Sequence, residues 1–206
     1  MLDESLREFS DNLASSAPTP GGGGASALTA SLAVALGNMV GNLTVGKKKY
    51  ADAEEAAKEL NCRAEKLRQS LLNCIAKDAE AFQPLAKAYA IPKDTPQRAE
   101  TIEAALFEAV KPPLEILGYC TQAAEIIEKY AEIGCRLAIS DAGCAAALCA
   151  GAMKSTALNV FINTKSMKDR KAAKEFNAEA DACLDASLPR LERVYKNVEQ
   201  ILRFEI

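Results

Sequence analysis

No charged side chain occurs between Asn12 and Gly46. Within that stretch, Pro18-Thr19-Pro20 leads into the four glycines Gly21 to Gly24. Such a run predicts a turn that regular structure does not hold. Residues 25–45 then read as a proline-free, Ala- and Leu-rich helix, roughly 30 Å long at the usual rise. Small or apolar residues surround it on every side, which predicts a helix buried all round. Its length would suit a membrane span. Thr29, Ser31, Asn38, Asn42 and Thr44 dilute its apolarity, so we expect no membrane partner. The glycines lack the lysine–hydroxyl pair that completes a nucleotide P-loop. They either bind an anion on the free N–H groups of a helix start or only let helices cross closely.

The rest of the chain repeats the helical pattern. Leu2, Leu6, Phe9 and Leu13 predict a short amphipathic helix over residues 2–14. A long helix over residues 51–88 carries Leu60, Ala64, Leu67, Leu71, Cys74, Ile75, Phe82 and Leu85 on one stripe. Thr95 reads as an N-cap with Pro96 at the first helical position. Pro112 and Pro113 kink or break the helix that follows. Ser140 reads as the N-cap of a second nearly neutral helix, in which Lys154 is the one charge between Ala142 and Thr164. A last amphipathic helix spans residues 167–204. No strand pattern or internal repeat occurs. The expected fold is all-α: one domain over residues 1–206, an up-and-down bundle around two small-residue helices. Helices this apolar often continue into a partner subunit, so a homodimer is expected.

Composition narrows the chemistry. The 206 residues include no histidine, which excludes Ser-His-Asp and Cys-His centres and argues against catalytic zinc; no metal site is expected. A net charge of -3 argues against broad nucleic-acid binding. The seven cysteines form no Cys-x-x-Cys pair and read as reduced core residues. With no signal-like N-terminus, a cytoplasmic location is expected. Proton transfer then falls to carboxylates, Lys, Cys, Tyr or the substrate itself.

Asp78 lies on the apolar stripe, eighteen residues or about five turns beyond Leu60. A carboxylate there is either tied to a helix end or a lysine, or it belongs to a site. Asp141 falls in the first turn of the second neutral helix. Asn159 shares its stripe but lies roughly 27 Å along the axis, so the two cannot line one small pocket. Asn159 and Asn163 are expected to satisfy buried backbone or the Asn38/Asn42 pair.

Pro18-Thr19-Pro20-Gly21-Gly22-Gly23, Asn42-Leu43-Thr44 and Gly46-Lys47-Lys48-Lys49-Tyr50 resemble the cyclodeaminase domain of formiminotransferase-cyclodeaminase. That family includes free-standing methenyltetrahydrofolate cyclohydrolases. Asp78-Ala79-Glu80-Ala81-Phe82, Ser140-Asp141-Ala142-Gly143 and Asn159-Val160-Phe161-Ile162-Asn163 resemble its later motifs. The resemblance covers nearly the whole chain and implies an all-helical dimer acting on one-carbon tetrahydrofolates. It implies Asp141 as catalytic and leaves cyclohydrolase and cyclodeaminase activity undivided. Both chemistries open or close the cationic bridge of 5,10-methenyltetrahydrofolate through a tetrahedral carbon. One carboxylate can stabilise the cation and a second can hold a proton for the leaving nitrogen. Asp141 and Asp78 are the candidates. Gly22, Gly23, Asn42, Lys47, Lys48, Lys49 and Ser140 are the expected substrate-binding residues. The three lysines would meet the folate carboxylates, polyglutamylated or not; otherwise they are a solvated helix-end cluster. Folate is then the substrate, and no bound cofactor is expected. The alternative is a non-enzymatic helical dimer, an adaptor or small-molecule carrier, with a purely structural Asp78.

Overall fold

The computed structural model describes residues 4–203, and those residues are helical without strands. The α-helices are α1 (Leu6–Leu13), α2 (Gly22–Asn42), α3 (Glu54–Ala90), α4 (Arg98–Ala109), α5 (Lys111–Ile133), α6 (Ile139–Ser166) and α7 (Arg170–Leu202). Short 3-10 turns at Lys48–Ala53 and Arg136–Ala138 precede α3 and α6. Leu2 and Phe204 of the expected terminal helices lie outside the described residues. In α1 only Phe9 is buried, while Leu6 and Leu13 face solvent.

Named contacts fix the topology. The Ser26 and Ser155 hydroxyls meet at 2.7 Å, and at the other end the Cys135 N–H donates to Thr44 Oγ1 at 2.8 Å. Helices α2 and α6 therefore run antiparallel. Gly23 lies against Asp78, and Asn61 Nδ2 donates to Asn42 Oδ1 at 2.9 Å, so α3 also runs antiparallel to α2. Lys77 meets Glu115, and Val198 packs on Gly143, which completes the up-and-down course through α5 and α7. The stripe from Leu60 to Ile75 is buried as its spacing predicts. Gly37 and Gly41 leave room for the fully buried Tyr130. Its hydroxyl donates to Asn61 Oδ1 at 2.7 Å, which satisfies the polar end of a large core side chain.

Several boundaries differ from expectation. Helix α2 begins at Gly22, so three of the four glycines are helical. Glycine costs about 1 kcal/mol against alanine inside a helix, and the close approaches described below account for its use here. The helix stops at Asn42, before Gly46, whose φ of +78° suits glycine. Helix α6 begins at Ile139 with Ala138 at the N-cap, so Ser140 caps nothing and is already helical. Helix α4 begins at Arg98, and residues 95–97 turn into it instead of forming its first turn. Pro112 and Pro113 do separate α4 from α5, occupying the start of α5 where their missing N–H groups cost little.

Neither neutral helix is buried all round. Leu32 and Met39 on α2 and Leu43 just past its end are exposed, and so are Leu148, Leu158 and Ile162 on α6. Both helices are long and apolar enough to cross a membrane by composition, yet about half of each apolar window packs inside the protein, 56% and 44%. What remains is one apolar face along the α2–α6 seam.

Candidate functional site

The N-terminus of α2 lacks a cap of its own. Its N-cap is Gly21, no side chain there accepts a backbone N–H, and no acidic residue occupies the first turn. Asp78 supplies the acceptor from α3: its carboxyl bonds the Gly24 N–H. This is the role of an N-cap carboxylate, filled by another helix. The approach requires Gly23, because a Cβ there would overlap the Asp78 carboxyl. A Cβ on Gly22 would stand 3.0 Å from Asn159 Oδ1. Asp78 is thus tied to a helix end, one of the two outcomes its place on the stripe allows.

It also faces a cavity. A cleft of about 130 Å³ is lined by Pro18, Thr19, Gly21, Gly22, Gly23, Asp78, Phe82, Ala109, Pro113, Asn159, Ile162 and Asn163. Burial pushes the Asp78 carboxyl above its ordinary range, and the Gly24 N–H, which favours the charged form, only partly opposes it. Asp78 therefore holds its proton to higher pH than a free aspartate does. Pockets for drug-sized ligands run to about 300–1,000 Å³, so this cleft fits a reacting ring or bridge and not a whole folate. Exposed Ile162 at its rim, with Leu158 one turn earlier on α6, carries an apolar track outward.

Asn159 and Asn163 complete the cleft. Asn159 Nδ2 donates to Ser155 O at 2.8 Å. Asn163 Nδ2 donates to Ala109 O at 3.2 Å and to Asn159 O at 2.9 Å. The expected backbone satisfaction holds. The alternative pairing with Asn38 and Asn42 does not, because those residues lie at the far end of α2 with Tyr130 and Asn61. Thr19, Phe82, Asn159 and Asn163 were not anticipated as site residues. All four fall in the motifs quoted for the family resemblance, and Asn159 also lies on the stripe of Asp141, one end of which lies beside Gly22.

The remaining candidates gather at the opposite end of the α2–α6 seam. Asn42 is bonded to Asn61. Lys47 Nζ lies 3.1 Å from Cys135 Sγ, and Lys49 Nζ stands 5.8 Å from the centre of the Tyr50 ring. Lys48 and Ser140 are exposed, and Asp141 is half-buried in the first turn of α6. Five turns of α6 separate Asp141 from the Asp78 cleft, roughly 27 Å. One chain brings Gly22, Gly23 and Asp78 together, and gathers Asn42, Lys47, Lys48, Lys49, Ser140 and Asp141 at the other end. It does not bring the two carboxylates together.

Residues 5–182 match the sequence pattern of the formiminotransferase-cyclodeaminase family. The chain belongs to that family. It is 41% identical over 201 residues to a methenyltetrahydrofolate cyclohydrolase of Methylorubrum extorquens, an alignment covering 96% of this chain and 97% of that one. It is 30% identical to mouse formimidoyltransferase-cyclodeaminase over 173 residues, 82% of this chain but 32% of the mouse protein. The crystal structure of formiminotetrahydrofolate cyclodeaminase from Thermotoga maritima superposes with a TM-score of 0.83 at 32% identity, covering 96% of this chain and 98% of that one. The all-helical fold and the expected family stand.

Proposed function

We propose that this protein is a one-carbon folate enzyme that opens 5,10-methenyltetrahydrofolate with water to give 10-formyltetrahydrofolate. The observation that carries this reading is the buried Asp78 carboxyl of α3, set against the start of α2 and facing a small cleft, where burial raises its proton affinity. The cyclohydrolase relative, matched end to end at 41% identity, supports water as the nucleophile. Water adds its oxygen to the bridge carbon and loses a proton. The new hydroxyl gives its proton to solvent and becomes the formyl oxygen as the carbon breaks its bond to N5, and N5 takes a proton from the protonated form of Asp78. Solvent returns that proton. A neutral acid suits a cationic substrate whose leaving nitrogen must gain a proton. Asp141 is assigned the complementary part: stabilising the cationic bridge and receiving the proton of the attacking water.

This division needs both ends of the seam at one substrate, and a homodimer provides it. A two-fold axis across the middle of the open α2–α6 face, perpendicular to the helices, would set the Asp141 end of one subunit over the Asp78 end of its partner. The apolar face of Leu32, Met39, Leu148 and Leu158 supports such a contact. In the same reading folate is substrate and no bound cofactor takes part. The free thiols fit a cytoplasmic setting.

A second reading, closure of 5-formiminotetrahydrofolate with loss of ammonia, is favoured by the Thermotoga maritima cyclodeaminase of the same fold and length. The test is a side-by-side assay. Protein is added to methenyl- and to formimino-tetrahydrofolate, and the methenyl absorbance and released ammonia are followed. Accelerated loss of methenyl absorbance with little ammonia from the formimino substrate is expected. Ammonia release as the faster reaction selects the second reading. An unchanged decay of both substrates would point to an adaptor or carrier.

A further inference from the structure

The connection between α2 and α3 is stapled to that between α5 and α6 around Cys135. The Cys135 N–H donates to Thr44 Oγ1 at 2.8 Å, and the Arg136 N–H donates to the Tyr50 hydroxyl at 3.0 Å. Between these bonds, Lys47 Nζ lies 3.1 Å from Cys135 Sγ. The sulfur belongs to a residue only 1% exposed, while Lys47 is half-buried, so the pair meets solvent from the lysine side. Burial alone would push the Cys135 thiol up. The Lys47 ammonium, the Leu137 N–H and the Tyr50 hydroxyl outweigh it and hold the thiol below its usual range. Thiolate character is what makes a cysteine react with peroxides. The other thiols lack this setting. Burial pushes Cys74 up to about 12, while Cys120 is held high by its contact with Cys149 and by burial.

We propose that Cys135 and Lys47 form an oxidation-sensitive pair that hydroperoxide converts into a covalent sulfur–nitrogen cross-link between the two connections. The thiolate attacks one peroxide oxygen and the O–O bond breaks, giving the sulfenic acid and hydroxide. Hydroxide takes a proton from the Lys47 ammonium and leaves as water. The free amine then attacks the sulfenyl sulfur, an S–N bond forms, the S–O bond breaks, and the second water departs. Sulfur is oxidised by two electrons, peroxide is reduced by two, and one peroxide is consumed. The link removes the Lys47 charge and locks the C-terminal end of α2 to the start of α6, six residues before Asp141. Thiols reverse it by attack on sulfur.

The proposal is independent of the folate reading, and its test reads mass. The full chain is exposed to limiting hydrogen peroxide, digested without reductant and analysed by mass spectrometry, with dithiothreitol-treated samples alongside. A joined pair of peptides containing Lys47 and Cys135 is expected, about 2 Da lighter than their sum and restored by dithiothreitol. Exposed Cys62 and Cys144 serve as internal references and are expected to react more slowly. Lys47→Arg keeps the cation beside the sulfur but denies the amine. It is expected to lose the link and to leave a Cys135 sulfenic acid that a dione probe traps. Oxidation of Cys135 without any joined peptide, or a joined peptide that survives dithiothreitol, overturns the proposal. So does oxidation of Cys62 and Cys144 ahead of an intact Cys135.

Discussion

Gly23 has no Cβ, and the carboxyl of Asp78 occupies the place where one would project. Helix α2 can therefore be capped only by a neighbour that reaches across from α3. The first prediction is that Gly23→Ala forces the carboxyl off the Gly24 N–H. Overpacking of this kind costs about 1–3 kcal/mol. Turnover should fall on the roughly 100-fold scale of a displaced proton donor. Gly21→Ala meets nothing within 4 Å and should stay within about 0.5 kcal/mol of the parent. Thermal melts and initial rates on the pair check this. Equal behaviour of the two variants would contradict the close-approach argument.

Asp78 itself gives the second prediction. Its folded carboxyl holds a proton more tightly than the unfolded chain does, because burial dominates. The stability it contributes is full below the ordinary carboxyl range and is lost as pH rises through the raised folded value. Asp78→Asn cannot ionise. It should be nearly as stable as the parent at low pH, and its relative stability should improve as pH rises. Turnover should drop by roughly 100-fold, and the decline of the parent rate with rising pH should vanish. Denaturant melts and pH–rate profiles on one preparation decide the matter. A destabilised variant with an unaltered profile would make Asp78 a structural cap only.

These outcomes bear on what the sequence could tell. Uncharged runs announced α2 and α6 because a helix with no polar face has to find cover. Asp78 stood out because a carboxylate on an apolar stripe needs a reason. What it touches was not legible, since contact with Gly23 and Asn159 depends on how three distant helices cross. The glycine run misled for the same reason: Gly22 and Gly23 are helical because Asn159 and Asp78 need their missing side chains, a demand made from outside the local sequence. Lys47, Lys48 and Lys49 looked equivalent in the chain. Folding sends one to a sulfur, one into solvent and one over a tyrosine ring.

That divergence supplies the third prediction. If the cluster meets folate carboxylates, exposed Lys48 should do so with little structural role. Lys48→Ala should raise KM about two- to five-fold at low salt, more for polyglutamyl than for monoglutamyl substrate, with the difference fading as salt rises. Lys47→Ala should instead lower stability by about 1–2 kcal/mol, because it leaves the Cys135 sulfur without its cation. Steady-state kinetics at two ionic strengths and a denaturant melt separate the two. A salt-independent effect at Lys48 would remove it from substrate binding.

The fourth prediction concerns the distance between Asp141 and Asp78. Asp141→Asn alone should lower turnover by roughly 100-fold or more with the fold intact, since shape is kept and charge is lost. Asp78→Asn should be similarly impaired. If each site takes Asp78 from one subunit and Asp141 from its partner, mixing the two inactive variants restores function. Random exchange of equal amounts makes about half of the dimers mixed, and each mixed dimer has one site with both carboxylates and one with neither. Activity should then recover to about a quarter of the parent value after subunit exchange. The variants are mixed in mild denaturant, refolded and assayed, with each variant treated alone as the control. Sedimentation checks whether dimers are present in the sample. Dimers that exchange subunits without regaining activity would place Asp78 and Asp141 in separate sites. The Asp78 cleft would then need its second proton carrier from within its own lining, where Asp78 is the only carboxylate among the described residues.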